Sequence, residues 1–208
     1  LFDLGISSYQ IDSEHRGFSY MRPGPLDMRF NPKQGVTAKE LLNSIDEKEL
    51  VEIIQTYAEI GNAKKISKMI ILYRKQKKMN TTEDLKESIY KALNGCSNKI
   101  FSRVFQAIRI AVNNEIINLK ETLEIVPQYL NQGGKIAVIS FHSIEDRIVK
   151  HFFKNNIIVD EKNYYQSKEV KLHRSFNNLT KKPIVAQKDE LRINKRSKSA
   201  KLRIVELL

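Results

Sequence analysis

Residues 133–147 read Gly133-Gly134-Lys135-Ile136-Ala137-Val138-Ile139-Ser140-Phe141-His142-Ser143-Ile144-Glu145-Asp146-Arg147. The glycine pair marks a turn, the six residues after it form a short apolar run, and the polar cluster beyond leads into acidic residues suited to a helix start. Turn, strand, polar tip and helix in that order make one step of an α/β fold. The same grammar opens the chain, where Leu1-Phe2-Asp3-Leu4-Gly5-Ile6-Ser7-Ser8-Tyr9-Gln10 runs from an apolar strand end into an acidic, glycine-containing turn. Two strand tips carrying polar residues imply one crevice, because open α/β sheets bind ligands beyond the carboxyl ends of their strands.

Residues 119–130 predict a helix that enters the strand through Asn131-Gln132-Gly133-Gly134, the αβ connection expected of a parallel sheet. Residues 145–155 predict the next helix, with Ile148, Val149 and Phe152 on one face, and residues 156–182 are polar and weakly patterned. Leu202-Arg203-Ile204-Val205-Glu206-Leu207-Leu208 predicts a closing strand after a basic turn. Between the two strand tips the pattern changes. Residues 12–36 are a loop punctuated by Gly17, Pro23, Gly24, Pro25, Pro32 and Gly35, and residues 37–118 are helical throughout. Thr37-Ala38-Lys39-Glu40 and Ser44-Ile45-Asp46-Glu47 carry capping-box signatures. Ile66, Met69, Ile70 and Tyr73, and again Phe101, Val104, Phe105 and Ile108, repeat at the spacing of a packed helix face. The expected architecture is α/β, the second half of a doubly wound domain interrupted by an all-helical insertion. The first half, with its early strand and Gly-rich turn, is expected to lie upstream, since no G-x-G segment of that kind occurs here.

The 208 residues, 41% hydrophobic, suffice for a buried core, and 36 Lys and Arg against 24 Asp and Glu give a net charge of +12. That balance favours a polyanion such as nucleic acid as partner, or else a merely solvated surface. A single cysteine, Cys96, excludes an intramolecular disulfide framework and a cysteine-rich zinc site and fits a reducing, cytoplasmic setting. No apolar run reaches the roughly 18 residues of a membrane span.

Several residues carry candidate chemistry. Asp3, at a strand end, is placed to accept hydrogen bonds from a ligand amine, or is simply a turn residue. Gly5 permits close backbone approach, and Ser7 and Ser8 offer hydroxyls that orient a small polar group. His142 follows a strand and precedes a helix for which Ser143 is the candidate N-cap, with Glu145 and Asp146 near the positive end of the helix dipole. The same acids with His142 suggest a metal only weakly, for want of a ligand set, and no metal is expected. In the loop Glu14-His15-Arg16-Gly17-Phe18-Ser19-Tyr20-Met21-Arg22-Pro23-Gly24-Pro25-Leu26-Asp27-Met28-Arg29, arginines alternate with aromatics. That combination grips phosphate and stacks a displaced base, unless Phe18 and Met28 anchor the loop to the core. Lys64, Lys65, Lys68, Arg74, Lys75, Lys77 and Lys78 crowd one predicted helix with no acidic residue, and Lys195 to Arg203 form a second basic cluster.

Taken in order, Asp3 to Gln10, Arg16-Gly17-Phe18-Ser19-Tyr20-Met21-Arg22, Gly24-Pro25-Leu26-Asp27-Met28-Arg29, Phe105 to Asn113, Ser140 to Arg147 and Ser199-Ala200-Lys201-Leu202-Arg203 closely resemble the bacterial 16S rRNA cytosine N4-methyltransferase family. The resemblance spans essentially the whole chain. It departs from the family at Ala58 to Lys65, where a Gly-Glu-Glu type segment is usual, and at Tyr9, often proline. It implies the C-terminal part of a Rossmann-like class I methyltransferase domain. Residues 1–36 would be a strand end and active-site loop, 37–118 a helical insertion for substrate recognition, and 119–208 the C-terminal half of the methyltransferase domain. The implied cofactor is S-adenosylmethionine and the implied partner 16S rRNA or the small ribosomal subunit, methylated on the exocyclic amine of a cytidine near the decoding centre. Family cofactor contacts map onto Asp3 and Gln10. Ser7, Ser8 and His142 are then the catalytic candidates. Arg16, Phe18, Tyr20, Arg22, Arg29, Lys64, Lys65 and Lys68 are the RNA-binding candidates. The competing expectation is a noncatalytic rRNA-binding remnant lacking the cofactor half-site, and a third is a metal-dependent hydrolase built around His142.

Overall fold

The computed structural model describes residues 1–154 and 176–208. In chain order the elements are β1 (Phe2–Asp3), α1 (Ser8–Asp12), α2 (Ala38–Ser44), α3 (Glu47–Ile53), α4 (Ala63–Gln76), α5 (Thr82–Leu93), α6 (Asn98–Asn113) and α7 (Glu115–Ile125). They continue with β2 (Lys135–Ser140), α8 (Ser143–Lys154), β3 (Phe176–Asn178), β4 (Ile184–Val185), α9 (Lys188–Ile193) and β5 (Lys201–Leu207). Two compact units result: Leu1–Gly5 with Ile116–Leu208, and Ile6–Glu115.

The first unit is built on a mixed sheet in the order β1-β2-β5-β3, with β4 also paired to β5. β1 runs parallel to β2 with Asp3 opposite Ile139, so the carboxyl ends of the two strands lie side by side. β5, by contrast, is antiparallel to β2, with Val138 opposite Arg203, and β3 and β4 are antiparallel to β5. Alternation fixes which face is buried: Ile136 and Val138 of β2 and Val205 and Leu207 of β5 point into one core with Leu119, Leu123, Val149, Phe153 and Phe176. Each fully buried aliphatic contributes about 1.5–3 kcal/mol relative to an exposed one. On α8 it is Val149 and Phe153 that bury most deeply, while Ile148 and Phe152 pack at the margin of the core. The helix expected at 119–130 begins earlier, at Glu115, and tightens at Val126–Tyr129 into a 3₁₀ turn opened by Pro127. The far end of the expected 145–155 helix and much of the 156–182 stretch lie outside the described residues.

The second unit is helical. Thr37 caps α2 through the expected capping box, its hydroxyl accepting from Glu40 N while Glu40 reaches back to Thr37 N. The second expected box is displaced: Ser44 ends α2, and Asp46 caps α3 by accepting from Glu49 N at 2.8 Å. A carboxylate two residues on is the better cap because it stands free of the preceding turn. The apolar stripes of α4 and α6 are core, with Ile66, Ile70, Val104 and Ile108 fully buried. Among the described residues no helix is long and apolar enough to cross a membrane.

Candidate functional site

The tips of β1 and β2 form the polar end of the first unit. β1 breaks at Gly5, whose φ of +86° favours glycine, and the position its Cβ would take is 3.7 Å from Phe141 Cδ2, so the Phe141 ring covers this turn. Asp3 is exposed, and its carboxylate makes no hydrogen bond or ion pair among the described residues. A carboxylate left open at a strand tip can accept hydrogen bonds from a ligand's amine or hydroxyl groups.

At the second tip, His142 and not Ser143 occupies the N-cap position of α8, since Ser143 is already the first helical residue. The cap is made by the preceding histidine: Glu145 N donates to His142 Nδ1 at 3.4 Å. Glu145 Oε2 reaches back to accept from Phe141 N at 2.9 Å and His142 N at 3.3 Å. His142 Nε2 lies 3.1 Å from Glu145 Oε1, close enough for electrostatic attraction but too poorly aligned for a hydrogen bond. Asp146 turns to β5, where Arg203 Nε donates to its Oδ1 at 2.7 Å and Lys201 Nζ to its Oδ2 at 3.1 Å. Burial works against its charge, but the bonds to Arg203 and Lys201 outweigh that and hold the carboxyl below its ordinary range. Both acids of this turn are thus structural, and among the described residues no group of three or more His, Cys, Asp or Glu side chains is placed to hold a metal.

In the second unit, Ser7 and Gln10 are committed to each other. Ser7 caps α1 by accepting from Gln10 N at 3.2 Å, and Gln10 Oε1 accepts from Ser7 N and Oγ at 3.0 and 3.2 Å. The Ser7 hydroxyl is therefore held by the cap, whereas the Ser8 side chain and the Gln10 amide nitrogen make no hydrogen bond among the described residues.

In the loop after α1, several of the expected RNA-contact residues make contacts within the unit. Phe18 is only 7% exposed, its ring 6.0 Å from that of Phe30 with the Arg16 guanidinium 5.6 Å above it. Tyr20 stacks on Phe101 at 5.9 Å and meets Phe105 edge-on at 6.1 Å. These rings anchor the loop, as does fully buried Met28, with Phe18 buried and Tyr20 half-buried. Arg16 donates to the carbonyls of Arg29 and Phe30 at 2.7 and 3.1 Å, and Arg29 forms a two-pronged pair with Asp27 at 2.8 Å. Arg22, half exposed, donates to the Asp12 carbonyl at 2.9 Å beside the carboxylates of Asp12 and Glu14. Arg74 of α4 donates to the carbonyls of Leu42 and Ile45, and Lys77, just past the helix, pairs with Asp84; Lys64, Lys65, Lys68 and Lys75 of α4 and Lys78 beyond it are exposed. Sequence reading assigned no role to Asn113, which closes the loop: its Oδ1 accepts from Phe30 N and its Nδ2 donates to Met28 O, both at 2.7 Å. The signal was present in the motif ending at Asn113, but nothing local revealed a partner 83 residues away.

The match to the description "MraW methylase family" covers residues 1–208. The chain belongs to this family. Among curated relatives, a protein named ribosomal RNA small subunit methyltransferase H from Chlorobium luteolum is 44% identical over 99% of this chain and 64% of its own length. Proteins of the same name from Caldicellulosiruptor saccharolyticus and Flavobacterium psychrophilum are 45% and 43% identical, each over 99% of this chain and over 68% and 70% of their own lengths. The MraW family chain described here thus spans about two thirds of the length of these relatives.

Proposed function

We propose that this chain contributes the methyl-acceptor side and part of the cofactor side of an S-adenosylmethionine-dependent methyltransferase acting on the exocyclic N4 amine of a cytidine in 16S rRNA. The observation that carries the reading is the pair of adjacent strand tips, with Asp3 at the end of β1 and His142 two residues beyond β2, in a chain whose whole length matches a methylase family. In the architecture we propose, this sheet is the C-terminal part of a Rossmann-like domain, and the helical unit serves substrate recognition.

Asp3 would hold the cofactor through its open carboxylate; in the helical unit, Gln10 keeps an amide nitrogen that its cap leaves available. The bound cofactor supplies an electrophilic methyl group on a sulfonium. A cytosine amine is a weak nucleophile because its lone pair is delocalised into the ring, so the protein's work is to fix the amine in line and accept its hydrogen bonds. Acceptors and oriented groups at the tips of β1 and β2 suit that task, with His142 on the nucleotide side. The exposed lysines of α4 suit phosphate contacts, whose release of counterions makes binding salt-dependent.

Tritiated methyl transfer from S-adenosylmethionine to small ribosomal subunits lacking the modification tests the reading, with this chain compared against a form extended by its upstream coding sequence. Methyl incorporated at a cytidine N4 by either form supports it. No transfer by either form, with rRNA binding retained, would instead favour a noncatalytic rRNA-binding protein.

A further inference from the structure

Glu145 meets His142 and the backbone of Phe141 in the turn beyond β2. Its backbone N–H donates to His142 Nδ1, its Oε2 accepts from the backbone of Phe141 and His142, and its Oε1 stands 3.1 Å from His142 Nε2. The carboxylate is 3% exposed and the imidazole 10%, so water competes little for these contacts. A backbone N–H can only donate, so His142 Nδ1 carries a lone pair, and the proton of the neutral ring sits on Nε2. Two backbone donors therefore converge on Glu145 Oε2, while the Nε2–H edge of the ring faces Oε1 across 3.1 Å without a formed hydrogen bond.

We propose that Glu145 is a positioning residue that fixes His142 in the Nε2–H tautomer and sets the backbone of Phe141 and His142 beyond β2. In this state Nδ1 accepts from the Glu145 backbone and Nε2–H faces the Glu145 carboxylate, so the neutral ring has no free lone pair. His142 acts by shape and orientation at the methyl-acceptor tip and does not abstract a proton. Asp146, tied to Arg203 and Lys201, fastens the same helical turn to β5 and so gives Glu145 a fixed base from which to work. An amide cannot replace this carboxylate, because its NH₂ would face either the two backbone donors or Nε2–H.

The role in methylation rests on the proposed function, whereas the tautomer does not. Long-range ¹H–¹⁵N correlation spectra of the labelled chain, with His142 assigned among the four histidines by loss of its signals in His142→Asn, should show unprotonated Nδ1 and protonated Nε2 in the native protein. His142→Asn keeps an acceptor for Glu145 N and hence the helix cap. Glu145→Gln keeps the backbone donor at Nδ1 but removes the carboxylate that draws Nε2–H, so the Nε2–H population should fall. In the form extended upstream, Glu145→Gln should lower kcat by about tenfold or more, the scale of a misplaced reacting group, with KM for S-adenosylmethionine within about twofold. Glu145→Asp, one methylene shorter, should not restore it. A protonated Nδ1 in the native protein, or a tautomer indifferent to Glu145→Gln, overturns the inference. So does a Glu145→Gln enzyme as fast as the parent. A parent inactive on every rRNA substrate removes the methylation reading and leaves the tautomer result to decide the positioning of His142.

Discussion

Arg203 on β5 and Asp146 on α8 form a buried ion pair, Nε to Oδ1 at 2.7 Å, that joins the last strand to the first turn of the helix after β2. Val138 stands directly opposite Arg203 in the sheet, so the guanidinium leaves an otherwise apolar face to reach the helix. Removing one partner of such a pair strands a buried charge.

Arg203→Met should accordingly destabilise the protein by about 3–5 kcal/mol, moderated by Lys201, which also reaches Asp146. Asp146→Asn together with Arg203→Met should recover most of that loss, because the charge is removed with its partner. Urea unfolding of the two single variants and the double variant measures the difference. An Arg203→Met variant as stable as the parent would mean that the pair contributes nothing net.

Acid should loosen the helical unit through Asp84. Burial raises the pKa of this carboxyl, but Lys77, the backbone of Asn80 and Thr81 and the Thr81 hydroxyl outweigh it and hold the value at about 2, against an ordinary 3.8. A depressed folded-state pKa means the unfolded chain binds the proton first. The stabilisation, roughly 2 kcal/mol, is then complete above about pH 4 and lost as pH falls toward 2. Asp84→Asn should flatten the fall in stability over that window, read by denaturant midpoints at a series of pH values.

Gly17 and Gly24 interlock two strands of the loop. At Gly17, φ is +68° and a Cβ would collide with the Pro25 carbonyl, while at Gly24 a Cβ would strike the carbonyl of Glu14. Alanine at either position should destabilise by about 1–3 kcal/mol, the range for overpacking, with Gly17 the worse because backbone strain is added. Thermal melts of the two variants test the order.

These cases show what the sequence could and could not disclose. Period-3.6 stripes on α4 and α6 and the Thr37 capping box were legible because each depends on neighbours within a turn or two. The antiparallel direction of β5 was not, because a strand's direction is fixed by its distant partner and the apolar pattern reads the same either way. The inward turn of Phe18, Tyr20, Arg16 and Arg29 was open for the same reason. Alternating arginines and aromatics suit a nucleic-acid loop and a self-packed loop equally, and only Phe30, Phe101, Phe105 and Asp27 decide between them. Asp3 and His142 were visible as strand-tip residues, whereas the hold of Glu145 on His142 needed coordinates.

Asp3 is exposed and unpaired among the described residues, so Asp3→Ala should leave the melting temperature within a degree or so while weakening S-adenosylmethionine binding. Loss of one charged hydrogen bond predicts a drop of about tenfold to hundredfold, measurable by calorimetry on the form extended upstream. Unchanged affinity would remove Asp3 from the cofactor side.

The basic residues separate by what already holds them. Lys64, Lys65 and Lys68 are exposed on α4, whereas Arg16 and Arg29 are bound to carbonyls and to Asp27 within their own loop. If the α4 lysines contact phosphate, each Lys→Ala change should weaken rRNA binding and reduce the slope of log K against log salt by about one. Arg29→Ala should lower the melting temperature and leave that slope unchanged, because its guanidinium is taken by Asp27. Filter binding over a salt series, paired with melts of the same variants, distinguishes the two groups. A salt slope that falls with Arg29→Ala and ignores the lysines would place the RNA on the loop and leave the α4 face merely solvated.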